Sequence, residues 1–400
     1  YILIKYKICM IRKVTMSLVF IYGTFISFKS SAQIPSGQLD GRSVPINTAV
    51  PFLRITPDAR SGAMGDVGLG TSADAYSIYS NLSKLPFAEK NAGLAVTYTP
   101  WLKELVNDVF LASLNAYTKL DDQQAISGSL RYFSLGTISF TDRDGQPIQD
   151  FHAREFALDA GYARKLSEHF GIGLTGHFIY SNLANGQYVE GVQVKAAKAF
   201  AVDLSGFYTK DFEKDDGLVN KLNIGMAISN MGTKISYLSS AQEKDFIPTN
   251  LGIGTAYTIS LDETNQLTFA LDINKLLVPT PDSAGKYKSK SSLEGMFSSF
   301  GDAPGGFKEE MQELMYSFGM EYWYNQQFAV RAGYFNENKN KGNRKYFTAG
   351  IGVKYDIFGL NFSYLVPSGS GIQRNPLSNT LRFTLTFDLG PRDEDSRTGW

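Results

Sequence analysis

The sequence predicts an all-β protein: a transmembrane antiparallel β-barrel of about fourteen strands, with a small N-terminal plug in its lumen. Three observations carry that prediction. From about Asn91 to Leu389, large apolar residues alternate with small or polar ones, the strand period, in one run after another. The connections between those runs alternate short and long. Ahead of the first run lies a stretch rich in Gly, Ala, Ser and Asp, residues 52–87, too small and polar to build a large core by itself.

Composition agrees. The 38 Gly, 28 Phe and 22 Tyr among 400 residues, with only 20% charged, suit many strands with an exposed face better than a helical enzyme. A chain with 13% aromatic residues is not disordered.

Residues 1–32 read as an export signal, with Met10 a plausible start. Arg12 and Lys13 precede a nearly uncharged run from Val14 to Phe28, and Ser30, Ser31 and Ala32 offer small residues for cleavage. That run is short of the roughly 20 residues a spanning helix needs. Gln33, not Cys, would follow cleavage, so no lipoprotein anchor is indicated. The one cysteine, Cys9, would leave with the leader, which excludes disulfides and Cys-based metal or nucleophile chemistry. Five of the 39 basic residues would leave too, so the mature chain sets 34 bases against 39 acids, a net of −5 that implies no nucleic-acid partner.

Residues 33–90 form the periplasmic N-terminal segment and plug, 91–389 the barrel, and 390–400 a short polar tail. Period two is plain at Leu158 to Tyr162, Ile172 to Phe178, Leu222 to Ile228, Leu267 to Ile273 and Leu360 to Val366, and cleanest at Leu381 to Asp388. The phase of Leu135 to Phe140 and of Tyr188 to Phe207 is not fixed by the pattern, which leaves twelve and sixteen strands as alternatives. Short turns fall near 120–123, 166–168, 262–265, 325–327 and 357–359; long loops fall near 135–153, 232–248, 278–311 and 367–377. Runs of about 10 to 13 residues match the 9 to 11 that cross a bilayer at a tilt. Only closure satisfies every backbone group in lipid. Tyr98, Trp101, Tyr180, Tyr322, Trp323 and Tyr324 lie near strand ends, where interfacial aromatics belong.

Glycines recur on one phase. Gly171, Gly173, Gly252, Gly254, Gly350 and Gly352 flank isoleucines, and Gly225, Gly319 and Gly333 share the phase. With the isoleucines toward lipid, these glycines face the lumen and leave room for another backbone. None forms a G-x-G-x-x-G fingerprint between strand and helix, and no motif calls for a cofactor.

Within the plug, Gly62, Gly65, Gly68 and Gly70 prevent a long helix, and residues 71–78 can form only a short one, with Ser72 as candidate cap. Arg54, Asp58, Arg60, Asp66 and Asp74 need partners in a confined lumen; each other, Arg131, Glu155 and Asp159 are the candidates.

The ordered run of Arg54, Pro57, Asp58, Ala59, Arg60, Met64, Gly65, Asp66 and Thr71 to Asp74, preceded by Gln38 to Gly41 and Thr48 to Leu53, resembles the N-terminal signature of the PorV (LptO)/PorQ family. One departure is Tyr79 to Lys84, where many relatives carry a Trp-Asn-Pro-Ala-Lys-like sequence. The family's barrels are similar to FadL-like fatty-acid channels, with fourteen strands and an N-terminal hatch. The resemblance implies an outer-membrane component of the type IX secretion system of Bacteroidota. Such a component shuttles cargo by its C-terminal secretion domain from the large translocon barrel to a surface attachment complex containing a sortase-like protease, without bond chemistry of its own. Two alternatives stay open: a FadL-like channel for hydrophobic small molecules, and a lipopolysaccharide deacylase.

The loop after Val278 has the most unusual content. Met296, Phe297, Phe300 and Phe307 sit among glycines, and exposed aromatics on a long loop suggest a surface for translocon or cargo, or else a lid over the barrel mouth. For catalysis, His177 and Asp159 could share the lumen in a Ser-His-Asp grouping, yet no G-x-S-x-G elbow occurs. The expectation is no enzyme and no metal.

Overall fold

The computed structural model describes residues 45–101, 106–142, 144–189, 192–238, 244–281, 285–366 and 380–390. The expected leader, the first part of the N-terminal segment, the loop at 367–377 and nearly all of the C-terminal tail lie outside the described residues.

Fourteen antiparallel strands close into a barrel. In chain order they are β1 (Ala92–Pro100), β2 (Val109–Lys119), β3 (Gln124–Thr141), β4 (Pro147–Lys165), β5 (Phe170–Asn182), β8 (Ala197–Glu213), β9 (Val219–Gly232), β10 (Asn250–Ser260), β11 (Asn265–Leu276), β12 (Met315–Tyr324), β13 (Phe328–Asn336), β14 (Lys345–Tyr355), β15 (Phe358–Val366) and β16 (Leu381–Leu389). The numbers six and seven belong to a two-residue hairpin outside the barrel wall, β6 (Tyr188–Val189) and β7 (Val192–Gln193). Each strand pairs with its barrel neighbours in sequence, and β1 pairs with β16 to shut the ring, from Ala92 opposite Leu389 to Tyr98 opposite Phe383.

The barrel is inside-out relative to a soluble protein. Inward positions carry Thr97, Asn115, Arg131, Asp159, His177, Asp272, Glu321, Arg331 and Arg382, all buried; outward positions carry Leu114, Leu174, Leu204, Ile253, Phe318, Ile351 and Leu360, all exposed. An apolar outer face with every strand edge paired is the arrangement lipid demands. Outward aromatic pairs, of the kind that form interfacial rings, lie near both rims. Near the long-loop rim, Tyr98 packs on Phe110, Phe156 on Tyr180 and Tyr334 on Phe347, with centroids 4.8–5.5 Å apart. Near the short-turn rim, Phe358 meets Phe387 at 5.4 Å. Trp101 and Trp323 are not among them. Trp101 is buried against Phe133 at 6.1 Å, and Trp323 lies under the Arg331 guanidinium in the lumen.

The expected long loop at 135–153 is mostly strand. β3 and β4 keep pairing past the ends of their neighbours, since β2 stops opposite Leu135 and β5 stops opposite Arg154. A bulge at Gly136 (φ 84°), with Asp108 accepting from the Thr137 amide at 2.7 Å, starts the extension. This hairpin rises above the lipid, where alternation of apolar and polar faces is no longer required, so the sequence pattern fades there.

Candidate functional site: the plugged lumen and the outer-mouth loop

The plug folds as short pieces because its glycines permit nothing longer. Asp58 caps Ala59–Ala63, its Oδ1 accepting from the Ser61 amide at 2.7 Å. Gly65 and Asp66, at φ 71° and 66°, then turn the chain away. A second short helix covers Ser77–Ser80; Ser72 does not cap it, but accepts from Arg60 Nη2 at 2.8 Å. A 3-10 helix of 6 residues, Leu82–Phe87, leads to β1.

Barrel glycines receive these pieces. A Cβ on Gly225 would lie 2.0 Å from the Leu69 carbonyl oxygen, and one on Gly333 would lie 2.0 Å from the Gly65 amide nitrogen, so only glycine fits either place. Gly171, Gly173, Gly252, Gly254, Gly319 and Gly350 likewise abut plug atoms, whereas Gly352 leaves room for Arg331 instead.

Arg54, Arg60 and Asp66 find partners far away in sequence, while Asp58 and Asp74 are bound within the plug, by the Ser61 amide and by Arg60. Arg60 makes a two-pronged bond to Glu321 on β12, at 2.7 and 2.9 Å, and reaches Asp74 at 3.1 Å. Glu321 also accepts from Arg331 Nε at 2.6 Å, so one carboxylate sits between two guanidinium groups. Arg54 approaches Glu337 at 3.5 Å. Asp66 accepts from the Tyr346 hydroxyl and faces Arg382 at 3.7 Å. Asp272 on β11 accepts from the Gly68 and Leu69 amides at 2.7 and 3.0 Å. The wall residues nominated from the sequence serve otherwise. Arg131 pairs with Asp159 at 3.3 Å and lies over the Tyr79 ring of the plug, and Glu155 accepts from Ser181. Sequence reading missed Glu321, Glu337, Arg382 and Asp272 because lone acids and bases on lumen strands carry no spacing that names their partners.

His177 and Asp159 do face each other across β4 and β5, 2.6 Å apart. The other ring nitrogen lies 2.8 Å from Asp203. With a carboxylate beside each nitrogen, the imidazole belongs to a lumen charge network that also takes in Arg131 and Ser129.

The plug divides the lumen. Toward the short-turn rim a cavity of about 870 Å³ is lined by Asp58, Arg60, Asp74, Glu321 and Arg331 among others. Toward the long-loop rim a cavity of about 550 Å³ has an apolar wall of Phe52, Trp101 and Phe133 opposite Arg54, Arg344 and Arg382.

Above that cavity stands the β11–β12 connection. Ser291 and Glu294 form a reciprocal cap on the helix Ser292–Ser298. A charge latch fastens the loop's far end: Lys275 bonds Glu310 and Glu313, while Lys341 bonds Glu309 at 2.6 Å and Glu313 at 3.0 Å. Of the four loop residues singled out from the sequence, Met296 is turned inward at 8% exposure, because it lies on the inner side of the short helix. Phe297, Phe300 and Phe307 are exposed by 76, 53 and 81%.

Residues 38–283 match the family described as type IX secretion system protein PorV. The chain belongs to the PorV family. A PorV-family barrel is an outer-membrane component of that secretion system, and the short turns of this one mark its periplasmic rim. No curated protein sequence is significantly similar to this PorV-family chain. Among solved structures it is similar to the toluene transporter TbuX of Ralstonia pickettii (9% identity, 82% of this chain and 97% of that one, TM-score 0.49). It is also similar to the toluene transporter TodX of Pseudomonas putida (12%, 84% and 99%, TM-score 0.46) and to a FadL homologue of Pseudomonas aeruginosa (11%, 84% and 98%, TM-score 0.41).

Proposed function

We propose that this PorV-family barrel is a plugged carrier. It takes cargo by its C-terminal secretion domain at the large translocon barrel and hands it to the surface attachment complex that contains a sortase-like protease. The observation that carries this reading is the outer-mouth loop. Three large aromatic side chains stand in water on a loop that is otherwise capped and latched in place. Exposed apolar surface on an ordered loop marks a protein contact. The plug supports the same reading, since a wedged lumen leaves the outer loops to handle folded partners, and none of this needs catalysis.

The test is a pull-down from intact outer membranes. The native chain is expected to bring down a very large barrel or exported cargo, and a Phe297→Ser, Phe300→Ser, Phe307→Ser variant to lose them while remaining a folded barrel. Recovery of the chain alone with lipid would instead support a channel for hydrophobic small molecules, a reading favoured by the apolar wall of the outer cavity.

A further inference from the structure

The outer surface of the wall is charged only near its rims on β4, β5 and β8, and there the charge is of one sign. Outward positions from Arg154 to Arg164 on β4, Phe170 to Asn182 on β5 and Lys198 to Phe212 on β8 include Arg154, Arg164, Lys198 and Lys210, and no acid. Arg154 and Lys198 stand at the long-loop rim. Each lies one outward position beyond a phenylalanine, Phe156 on β4 and Phe200 on β8. Between them β5 sets Asn182 opposite Arg154 and Tyr180 opposite Lys198. Phe156 stacks on Tyr180 with centroids 5.0 Å apart and packs on Phe178 at 6.2 Å, while Phe178 meets Phe200 at 5.4 Å. A continuous aromatic floor thus spans three strands, with a cation at either end of its outer edge.

Neither cation is neutralised within the described protein. Arg154 and Lys198 are exposed, and neither meets a carboxylate of any described residue. Asp108 and Asp150, beyond this rim, are engaged elsewhere, by the Thr137 amide at 2.7 Å and the Ser139 hydroxyl at 2.6 Å. At the opposite rim Lys210 has a contact of its own, over the Phe212 ring at 5.2 Å. Aromatic side chains mark the edge of the hydrocarbon, so a cation just beyond them sits at the depth of lipid headgroups. A guanidinium at that depth offers paired donors to a phosphate. Two strand spacings, about 10 Å, separate β4 from β8, a gap that the long side chains of Arg154 and Lys198 can close over Tyr180.

We propose that this patch binds a phosphorylated lipid of the outer leaflet. Its phosphate rests between Arg154 and Lys198, and its acyl chains run down Phe156, Phe178 and Phe200. The site is on the outside of the wall and uses neither the lumen nor the loop phenylalanines.

The probe is lipid A, titrated into the full-length barrel in detergent micelles and followed by native mass spectrometry. The native chain is expected to bind it about tenfold more tightly than the dephosphorylated form, the effect of losing a charge-assisted contact. Arg154→Gln combined with Lys198→Gln should weaken binding of lipid A by the same factor. Arg164→Gln combined with Lys210→Gln removes two outward cations at the other rim of the same strands and should bind as the native chain does. All four side chains are exposed, so both variants should run as folded barrels on unheated gels. Equal binding of lipid A and its dephosphorylated form by the native chain overturns the proposal, whatever the variants do. So does an inner-rim variant that loses as much affinity as the outer-rim one, or an outer-rim variant that loses none.

Discussion

Gly333 on β13 and Gly65 in the plug meet backbone to backbone, so closely that a Cβ on Gly333 would lie 2.0 Å from the Gly65 nitrogen. Contacts under 3 Å with main chain cannot be relieved by rotating a side chain. Gly333→Ala is therefore expected to unseat the plug locally while leaving the barrel ladder intact. The measurement is leak of a small antibiotic through the outer membrane, which should rise several-fold. Gly206→Ala, whose Cβ would meet only the Phe170 ring edge at 3.6 Å, should leave it unchanged.

Glu321 lies between Arg60 and Arg331; Glu321 and Arg331 are buried and Arg60 is half-buried. Removing its charge leaves a buried and a half-buried cation facing each other. Breaking a buried pair in this way costs roughly 3–5 kcal/mol. Glu321→Gln is expected to lower the unfolding midpoint of the barrel in urea and to raise leak as well, because Arg60 is the plug's tie to β12. A native midpoint would show that water reaches this cluster freely.

The loop latch has a definite pH window. The hydrogen bond from Lys341 holds the Glu309 carboxyl below its ordinary range. Burial pulls Lys341 down, but its bonds to Glu309 and Glu313 outweigh that and hold it above its ordinary value. A depressed acid stabilises the latched form above its unfolded pKa of about 4.3, and that contribution fades as pH falls through the depressed value. The raised lysine contributes below about 10.4 and loses its share as pH climbs past the folded value. Relative to the exchange of unprotected amides at the same pH, exchange of residues 286–313 is thus expected to be slow and flat around neutrality and to quicken below about pH 4. In Lys341→Met it should already be fast at neutral pH.

Ile351 points outward at the middle of β14. In contact with lipid, Ile351→Arg should destabilise the barrel by roughly 2–4 kcal/mol, the range for an arginine at the bilayer midplane. Refolding into lipid vesicles, followed by chemical unfolding, measures it. A change below about 0.5 kcal/mol, the usual range for a water-facing surface substitution, would place this face in water.

The strands and their count were legible because lipid enforces a strict alternation, as at Leu381 to Asp388. The lumen face of Gly225, Gly319 and Gly333 was legible for the same reason, with phase alone betraying the plug's path. Where that constraint lapses the text goes silent. The rise of β3 and β4 above the lipid read as loop, and Trp101 and Trp323 read as rim residues although both face inward. The ion partners of the plug were hidden for a different reason. Arg60 and Glu321 are 261 positions apart, and no local pattern links them. Met296 and Phe297 are neighbours of similar hydropathy, and only the short helix's orientation sends one inward and the other out.

The seam between β1 and β16 is what makes the plug a captive. Its ladder, from Ala92 to Tyr98 against Phe383 to Leu389, joins the first strand to the last and closes the ring. The plug precedes every strand in synthesis and is gripped by β12, β13 and β16 through Glu321, Gly333 and Arg382. Closing the seam therefore encloses a segment that the wall already holds from three strands, so the plug cannot leave through the side of the closed ring.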